Sequence, residues 1–140
     1  MKSVYPVFIA QSNNDYLVFV PDLDIYTEGV SFVDAIEMAR DAIALKGILY
    51  ENDGMNIPLP SDGNEAMAMA KADADDEFDY SKGVLTYVDV DFSAYRKKYD
   101  NRMVRRNVTL PAWLNYEAEK SNLNVSKFLQ EALKEKLMIK

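Results

Sequence analysis

The segment 105–137, RRNVTLPAWLNYEAEKSNLNVSKFLQEALKEKL, holds one stretch with strand periodicity and no second stretch beside it to pair with. Arg105, Asn107 and Thr109 fall on one side of an extended chain and Val108 and Leu110 on the other, the two-residue period of a strand with one buried face. Pro111 ends the run, since proline cannot donate to a ladder but suits a helix start. Trp113, Leu114 and Ala118 then recur at helical spacing as far as the polar pair Ser121-Asn122. Asn124 is a natural N-cap for a second helix, along which Val125, Phe128, Leu129, Ala132, Leu133 and Leu137 form one wide apolar stripe.

A lone strand and two short helices have too little apolar surface to fold unaided. The segment is therefore expected to dimerise, with the strands of two copies pairing antiparallel and Val108, Leu110, Trp113, Phe128, Leu129, Leu133 and Leu137 forming the dimer core. The outward side chains of the resulting ribbon would be Arg105, Asn107 and Thr109. A two-stranded ribbon fits the major groove of operator double-stranded DNA, where arginine bonds guanine and asparagine bonds adenine. The amides at Asn124, Val125 and Ser126 would face a phosphate from the start of the second helix. The competing reading is a helical hairpin that completes the core of the preceding domain.

At these residues the segment resembles the ribbon-helix-helix repressor family, over about 33 residues. Arg106 stands where a core-facing apolar residue is usual, and Asn122 replaces the usual glycine between the helices, a substitution that asparagine's tolerance of the left-handed cap conformation permits.

The charge pattern points to two functions in one chain. Net charge is −7 over 140 residues, but residues 1–99 carry 8 basic and 18 acidic side chains (−10) and residues 100–140 carry 8 and 5 (+3). An acidic body repels nucleic acid and attracts a basic protein, whereas a basic tail can touch phosphate. The chain has neither cysteine nor histidine, so disulfides, zinc sites of the usual kind, thiol nucleophiles and Ser-His-Asp triads are excluded. No metal or cofactor is expected. Without an apolar run of about 18 residues or a leader-like N-terminus, the sequence predicts a cytoplasmic protein with no membrane association.

From the N-terminus, Val4 to Ala10 and Tyr16 to Val20 read as a hairpin around Ser12-Asn13-Asn14-Asp15. Pro6 is expected on an edge or at a bulge. A third strand from Ile25 to Glu28 is closed by Gly29. Ser31 then caps a long helix with Asp34 at the capping-box position. Its stripe of Phe32, Ile36, Ala39 and Ile43 is widened by Ala35, Met38, Ala42, Leu45 and Leu49, which predicts deep burial, and Asn52-Asp53-Gly54 stops it. Residues 55–63 read as an exposed connection, 64–72 have helix-forming composition, and the acidic run 73–79 reads as a solvated loop. Val84 to Phe92 alternates as a strand.

The expected fold class is thus α+β: a β-β-β-α-β domain over residues 1–95, a basic linker over 96–104 that includes Arg96, Lys97, Lys98 and Arg102, and the strand-helix-helix module over 105–140. The order of elements, the YPVFIA run, the segment VPDLDIYTEGVSFVDAIEMARDAI and the closing strand resemble the HicB antitoxin family. The Pro21-Asp22-Leu23 turn is the most specific part; many relatives continue with a Pro-Gly-Cys-type sequence where this chain has Asp24-Ile25-Tyr26. The resemblance implies a partly degraded ribonuclease-H-like domain that masks a HicA-type toxin, a basic messenger-RNA-cleaving ribonuclease. It also implies that the C-terminal module represses the shared operon; the homodimer expected from its own residues could assemble further into a tetramer. On local acidity, Asp22, Asp24, Glu28 and Asp53 are the candidate toxin contacts.

Two rival readings follow from the same residues. Asp22, Asp24, Asp89 and Asp91 suggest a two-metal nuclease, although a domain of charge −10 without a basic groove would repel its substrate. A ligand-sensing repressor without a toxin is the other.

Overall fold

A computed structural model describes residues 1–139; Lys140, the last residue of the expected C-terminal module, lies outside them. The chain divides into two compact units, Met1–Arg102 and Met103–Lys140. The described part is mixed α+β, with one four-stranded antiparallel sheet and five α-helices. None of the described helices is long and apolar enough to cross a membrane.

In the first unit, β1 (Lys2–Ser12) and β2 (Asp15–Val20) form a hairpin whose turn places Asn13 in the left-handed region at φ 57°. β3 (Ile25–Gly29) pairs on the far side of β2, and β4 (Val84–Asp91) pairs with β1, giving the order β3-β2-β1-β4. Proline cannot donate to a ladder, yet Pro6 lies in the central strand β1. The β1–β2 ladder runs only from Phe8 to Ser12, so at Pro6 the strand is paired on the β4 side alone, opposite Tyr87. The expected edge is local to one side of a central strand.

Alternation along β1 sends Tyr5, Val7 and Ile9 to one face of the sheet and Phe8 to the other. On the first face they join Val18, Val20, Val88 and Val90 beneath helix α1 (Phe32–Asn52). The helix starts as its sequence directs: Ser31 Oγ accepts from the Asp34 amide at 3.0 Å, and Asp34 Oδ2 accepts from the Val30 amide at 2.9 Å. Its buried line is Ala35, Ala39, Ile43, Ala44, Gly47 and Ile48. Met38, Leu45 and Leu49, expected to deepen this face, are 40%, 53% and 53% exposed instead. The cause is the closeness of the packing. Small residues let the helix backbone approach the sheet, so the contact strip is narrow and side chains off its centre line point into solvent. Arg40 ties the helix to β4, donating from Nε to the Asp89 carbonyl at 2.9 Å and from Nη2 to Asp89 Oδ1 at 3.0 Å.

Part of the second sheet face is covered by α2 (Gly63–Asp73), whose Ala66 and Ala70 pack on Phe8 and Phe19. The chain between α1 and α2 is held at two points. Tyr5 Oη donates to the Pro58 carbonyl at 2.7 Å, and Asp22 Oδ2 accepts from the Ser61 amide at 3.0 Å and hydroxyl at 3.1 Å. Residues 92–99, expected partly as linker, form α3 (Phe92–Tyr99), capped by Asp91 through the Ala94 amide at 3.1 Å. Phe92 is buried beneath Gly47, where a Cβ would fall 2.3 Å from its ring. Arg96 bonds Asn52 Oδ1 at 3.1 Å and Asp100 Oδ2 at 3.2 Å, and Arg102 Nε pairs with Asp100 at 3.1 Å. These two charges belong to the first unit rather than to a free linker.

In the second unit, α4 (Ala112–Lys120) follows Pro111 and α5 (Val125–Lys136) is capped by Asn124, whose Oδ1 accepts from the Lys127 amide at 3.1 Å. Asn122 takes the left-handed conformation between them, φ 52°. Residues 103–111 pair with no strand among the described residues. A strand exists only against a neighbour, and one copy of this unit contains none.

At Gly29 a Cβ would lie 2.5 Å from the Ala35 nitrogen and 2.7 Å from its Cα, in the first turn of α1. Gly29→Ala must therefore push the helix start off the sheet, and is expected to cost about 1–3 kcal/mol as overpacking does. A lowered urea midpoint with an unchanged m-value is the expected result.

Candidate partner and nucleic-acid interfaces

The acidic residues singled out from the sequence separate into structural and surface groups. Asp22 is half-buried and spends its carboxylate on Ser61, so it latches the connection between α1 and α2. Asp53 is the exposed C-cap of α1. Asp24 is exposed with φ 51°, closing the Pro21–Leu23 turn, and Glu28 is exposed on β3. Of the four, Asp24 and Glu28 flank Tyr26 on the edge strand.

Around Tyr26 the structure assembles aromatic side chains from β2 and residues 78–80, drawing in Asp73 and Phe78 from the run read as a solvated loop. Phe19 stacks on Tyr26 with ring centroids 4.9 Å apart, Tyr80 lies 5.3 Å from Phe19 and 6.0 Å from Tyr26, and Phe78 meets Tyr80 edge-on at 4.7 Å. The Tyr26 hydroxyl donates to Asp73 Oδ1. That bond raises the Tyr26 phenol well above its ordinary value, because ionisation would set a phenolate against a carboxylate. Burial raises Tyr80, with the charges of Asp73, Asp75 and Glu28 adding to it. Asp75 Oδ1 accepts from the amides of Glu77 at 2.9 Å and Phe78 at 2.8 Å, which folds the acidic run back toward the sheet. The available signal was the sequence Glu77-Phe78-Asp79-Tyr80: aromatic residues inside a charge run mark a segment with something to bury.

The carboxylates of the nuclease reading do not converge. Asp89 is held by Arg40, whose guanidinium keeps its carboxyl below the usual carboxylate range, and Asp91 caps α3. Among the described residues no group of three or more His, Cys, Asp or Glu side chains is placed to hold a metal ion.

In the second unit Arg105, Asn107 and Thr109 are exposed, as are Asn124, Val125 and Ser126 at the start of α5. Neither α4 nor α5 has a buried residue. Val108 is 53% exposed, Trp113 68%, Phe128 56%, Leu133 57% and Leu137 63%; Leu110 is exposed too, while Leu129 is half-buried. The two helices thus carry large apolar side chains that one copy leaves mostly in water.

This architecture, an antiparallel sheet unit followed by a helix pair, is shared with known antitoxins. The chain is similar in fold to a chain of a toxin-antitoxin complex from Streptococcus pneumoniae, with 23% identity and a TM-score of 0.60 over 97% of this chain and 99% of that one. It is also similar to the antitoxin HicB of Burkholderia pseudomallei, with 23% identity and a TM-score of 0.50 over 96% of each chain. The antitoxin HicB3 matches at 26% identity and a TM-score of 0.50, over 95% of this chain and 96% of that one. No curated protein matches the sequence. Residues 5–133 match the model of the family described as HicB-like antitoxin of bacterial toxin-antitoxin system. The chain belongs to that family of antitoxins.

If Asp22 is a latch, Asp22→Ala removes two hydrogen bonds at a half-buried position and should cost about 1–3 kcal/mol. The expected outcome is a lower melting temperature together with faster proteolysis of residues 55–62. Unchanged values on both counts would free Asp22 for a partner.

Proposed function

We infer that this protein neutralises a HicA-type, messenger-RNA-cleaving toxin through its first unit and represses its own operon through its second. It acts by binding rather than by catalysis. The observation that carries the reading is the exposed apolar face of α4 and α5, preceded by the alternating run that ends at Pro111 and supported by the family to which the chain belongs. Apolar burial contributes roughly 1.5–3 kcal/mol for each large side chain taken from water. Trp113, Phe128, Leu133 and Leu137, all more than half exposed in one copy, supply that drive when two copies meet. Dimerisation would also give residues 105–110 their ladder partner, turning Arg105, Asn107 and Thr109 outward as a ribbon for the major groove.

Charge supports the same division of labour. Between Met1 and Arg102 there are 9 basic and 19 acidic side chains, whereas residues 103–140 have 7 and 4. A surface that must cover an RNA-binding protein is favoured to be negative, because complementary charge accelerates capture. A surface that touches DNA is favoured to be positive. The complex named for the Streptococcus pneumoniae relative is of the kind expected here.

Dimerisation makes Phe128→Ala informative. In an isolated copy this half-exposed side chain is worth little, whereas in a dimer core the truncation should cost about 3–5 kcal/mol. Urea unfolding at two protein concentrations is the measurement: stability of the wild type should rise with concentration, and the variant should dissociate first. A concentration-independent midpoint would remove the dimer.

The DNA half is tested by a gel shift on the region upstream of the operon. The triple variant Arg105→Ala, Asn107→Ala, Thr109→Ala should remain dimeric and lose operator binding. Asn107→Ala alone should cost about 1–3 kcal/mol and relax specificity at one position per half-site. Equal binding by wild type and triple variant would show that the segment is not the reading head.

A further inference from the structure

The aromatic cluster around Tyr26 is bordered mainly by carboxylates, with Lys71 and Lys82 lying behind it beside Asp79. Tyr26 and Glu28 lie two residues apart on β3 and so share a sheet face. Tyr26 is 52% exposed, although its inner neighbour Phe19 is only 4% exposed. The cluster thus has a buried base and an open front. β3 is an edge strand, so no further strand of this sheet lies outside Tyr26. Asp24 precedes it in the left-handed turn, and Asp73 accepts its hydroxyl from the far side. The charges that act on Tyr26 and Tyr80 are all negative: Asp24 and Asp73 on the first, and Asp73, Asp75 and Glu28 on the second.

Aromatic faces beside carboxylates suit a guanidinium or ammonium group, which stacks on the ring and bonds the acid. They do not suit nucleic acid. Rings can stack bases, but three or four carboxylates at the same place repel the phosphates that must accompany them. Exposed aromatic side chains over a packed base are also the residues that dominate protein interfaces.

We propose that Tyr26, Phe78 and Tyr80, rimmed by Asp24, Glu28 and Asp73, form the docking surface for the toxin and receive arginine or lysine side chains from its basic face. The assignment rests on the antitoxin reading above and sharpens it. Of the acids picked from the sequence it keeps Asp24 and Glu28, while Asp22 is committed to Ser61 and Asp53 caps another element. The acidic run 73–79, folded back by Asp75, becomes part of the contact surface instead of a solvated loop.

The test uses the full-length protein and the purified toxin encoded in the same operon, with affinity read by titration calorimetry. Tyr26→Ala and Glu28→Lys should each weaken binding at least about tenfold. Both variants should stay folded and keep operator binding; Glu28→Lys should also keep the wild-type melting temperature, whereas Tyr26→Ala, which gives up its stacking on Phe19 and its bond to Asp73, should melt somewhat lower. Glu37→Lys, at an exposed position on α1, makes the same change in net charge and should alter affinity by less than about threefold. Equal weakening by Glu28→Lys and Glu37→Lys would mean that overall charge alone governs capture, which overturns the docking surface. A folded Tyr26→Ala variant with wild-type affinity would overturn it as well. Binding of single-stranded RNA by the wild type, lost in Tyr26→Ala, would assign the cluster to nucleic acid instead. Failure of the wild type itself to bind the toxin would bring down the antitoxin reading and this surface together, a result distinct from failure of the variants alone.

Discussion

Apolar surface that a single copy leaves in water is the constraint on which the second unit depends. α4 and α5 are well formed locally: Asn124 caps one, Pro111 opens the other, and Asn122 makes the left-handed turn between them. Local signals define these helices without burying them. Capping contributes about 1 kcal/mol, which is less than the burial of one phenylalanine or leucine. Apolar burial against a second surface, as in the proposed dimer, would supply far more. The alternating run before Pro111 has the same incompleteness in its backbone, since its amides and carbonyls find a ladder only in another strand. The proposed pairing of two copies would meet both deficits in one event, and association and the shaping of a DNA-reading ribbon would then be a single equilibrium.

The first unit is built the opposite way. Its core closes within the chain, with α1 laid on the sheet through alanine and glycine. That closeness has consequences at a distance from the contact. It requires Gly29 where the helix begins and Gly47 above Phe92, and it leaves the Met38, Leu45 and Leu49 side of α1 in solvent. On the other sheet face α2 covers Phe8 and Phe19 with two alanines and leaves Tyr26 open at the edge.

The elements with strong local signals were legible in the sequence. These include the hairpin around Asn13-Asn14, the α1 cap at Ser31 with Asp34, the stop at Gly54 and the alternation of β4. Features that depend on tertiary neighbours were not. Helical periodicity places Met38 and Leu45 on the broad apolar side of α1, but only the helix-sheet distance decides how wide a strip is buried. α3 was hidden because its basic composition resembles a linker, whereas Asp91 caps it and Arg96 anchors it to the end of α1. Pro6 implied an edge, and the edge turned out to be the place where one ladder of a central strand stops. At the candidate interface, local acidity singled out Asp22, Asp24, Glu28 and Asp53, of which Asp24 and Glu28 are exposed on either side of Tyr26. It could not separate them from Asp22, because the bond to Ser61 spans 39 residues, nor bring in Tyr80, which reaches Tyr26 only through the fold.

In the proposed division of labour, the charge asymmetry suits each unit to its own task. Were the whole chain as acidic as residues 1–102, the proposed DNA contact by Arg105 would be opposed by the protein's own field; were it as basic as the second unit, the first would lose the attraction for a basic toxin proposed for it. Separate compact units let each surface keep its own sign. Binding of a basic toxin would reduce the negative charge of the body further, lowering the long-range repulsion between the protein and DNA. On electrostatic grounds alone, then, toxin capture and operator binding would reinforce each other, and the coupling would weaken as salt is raised.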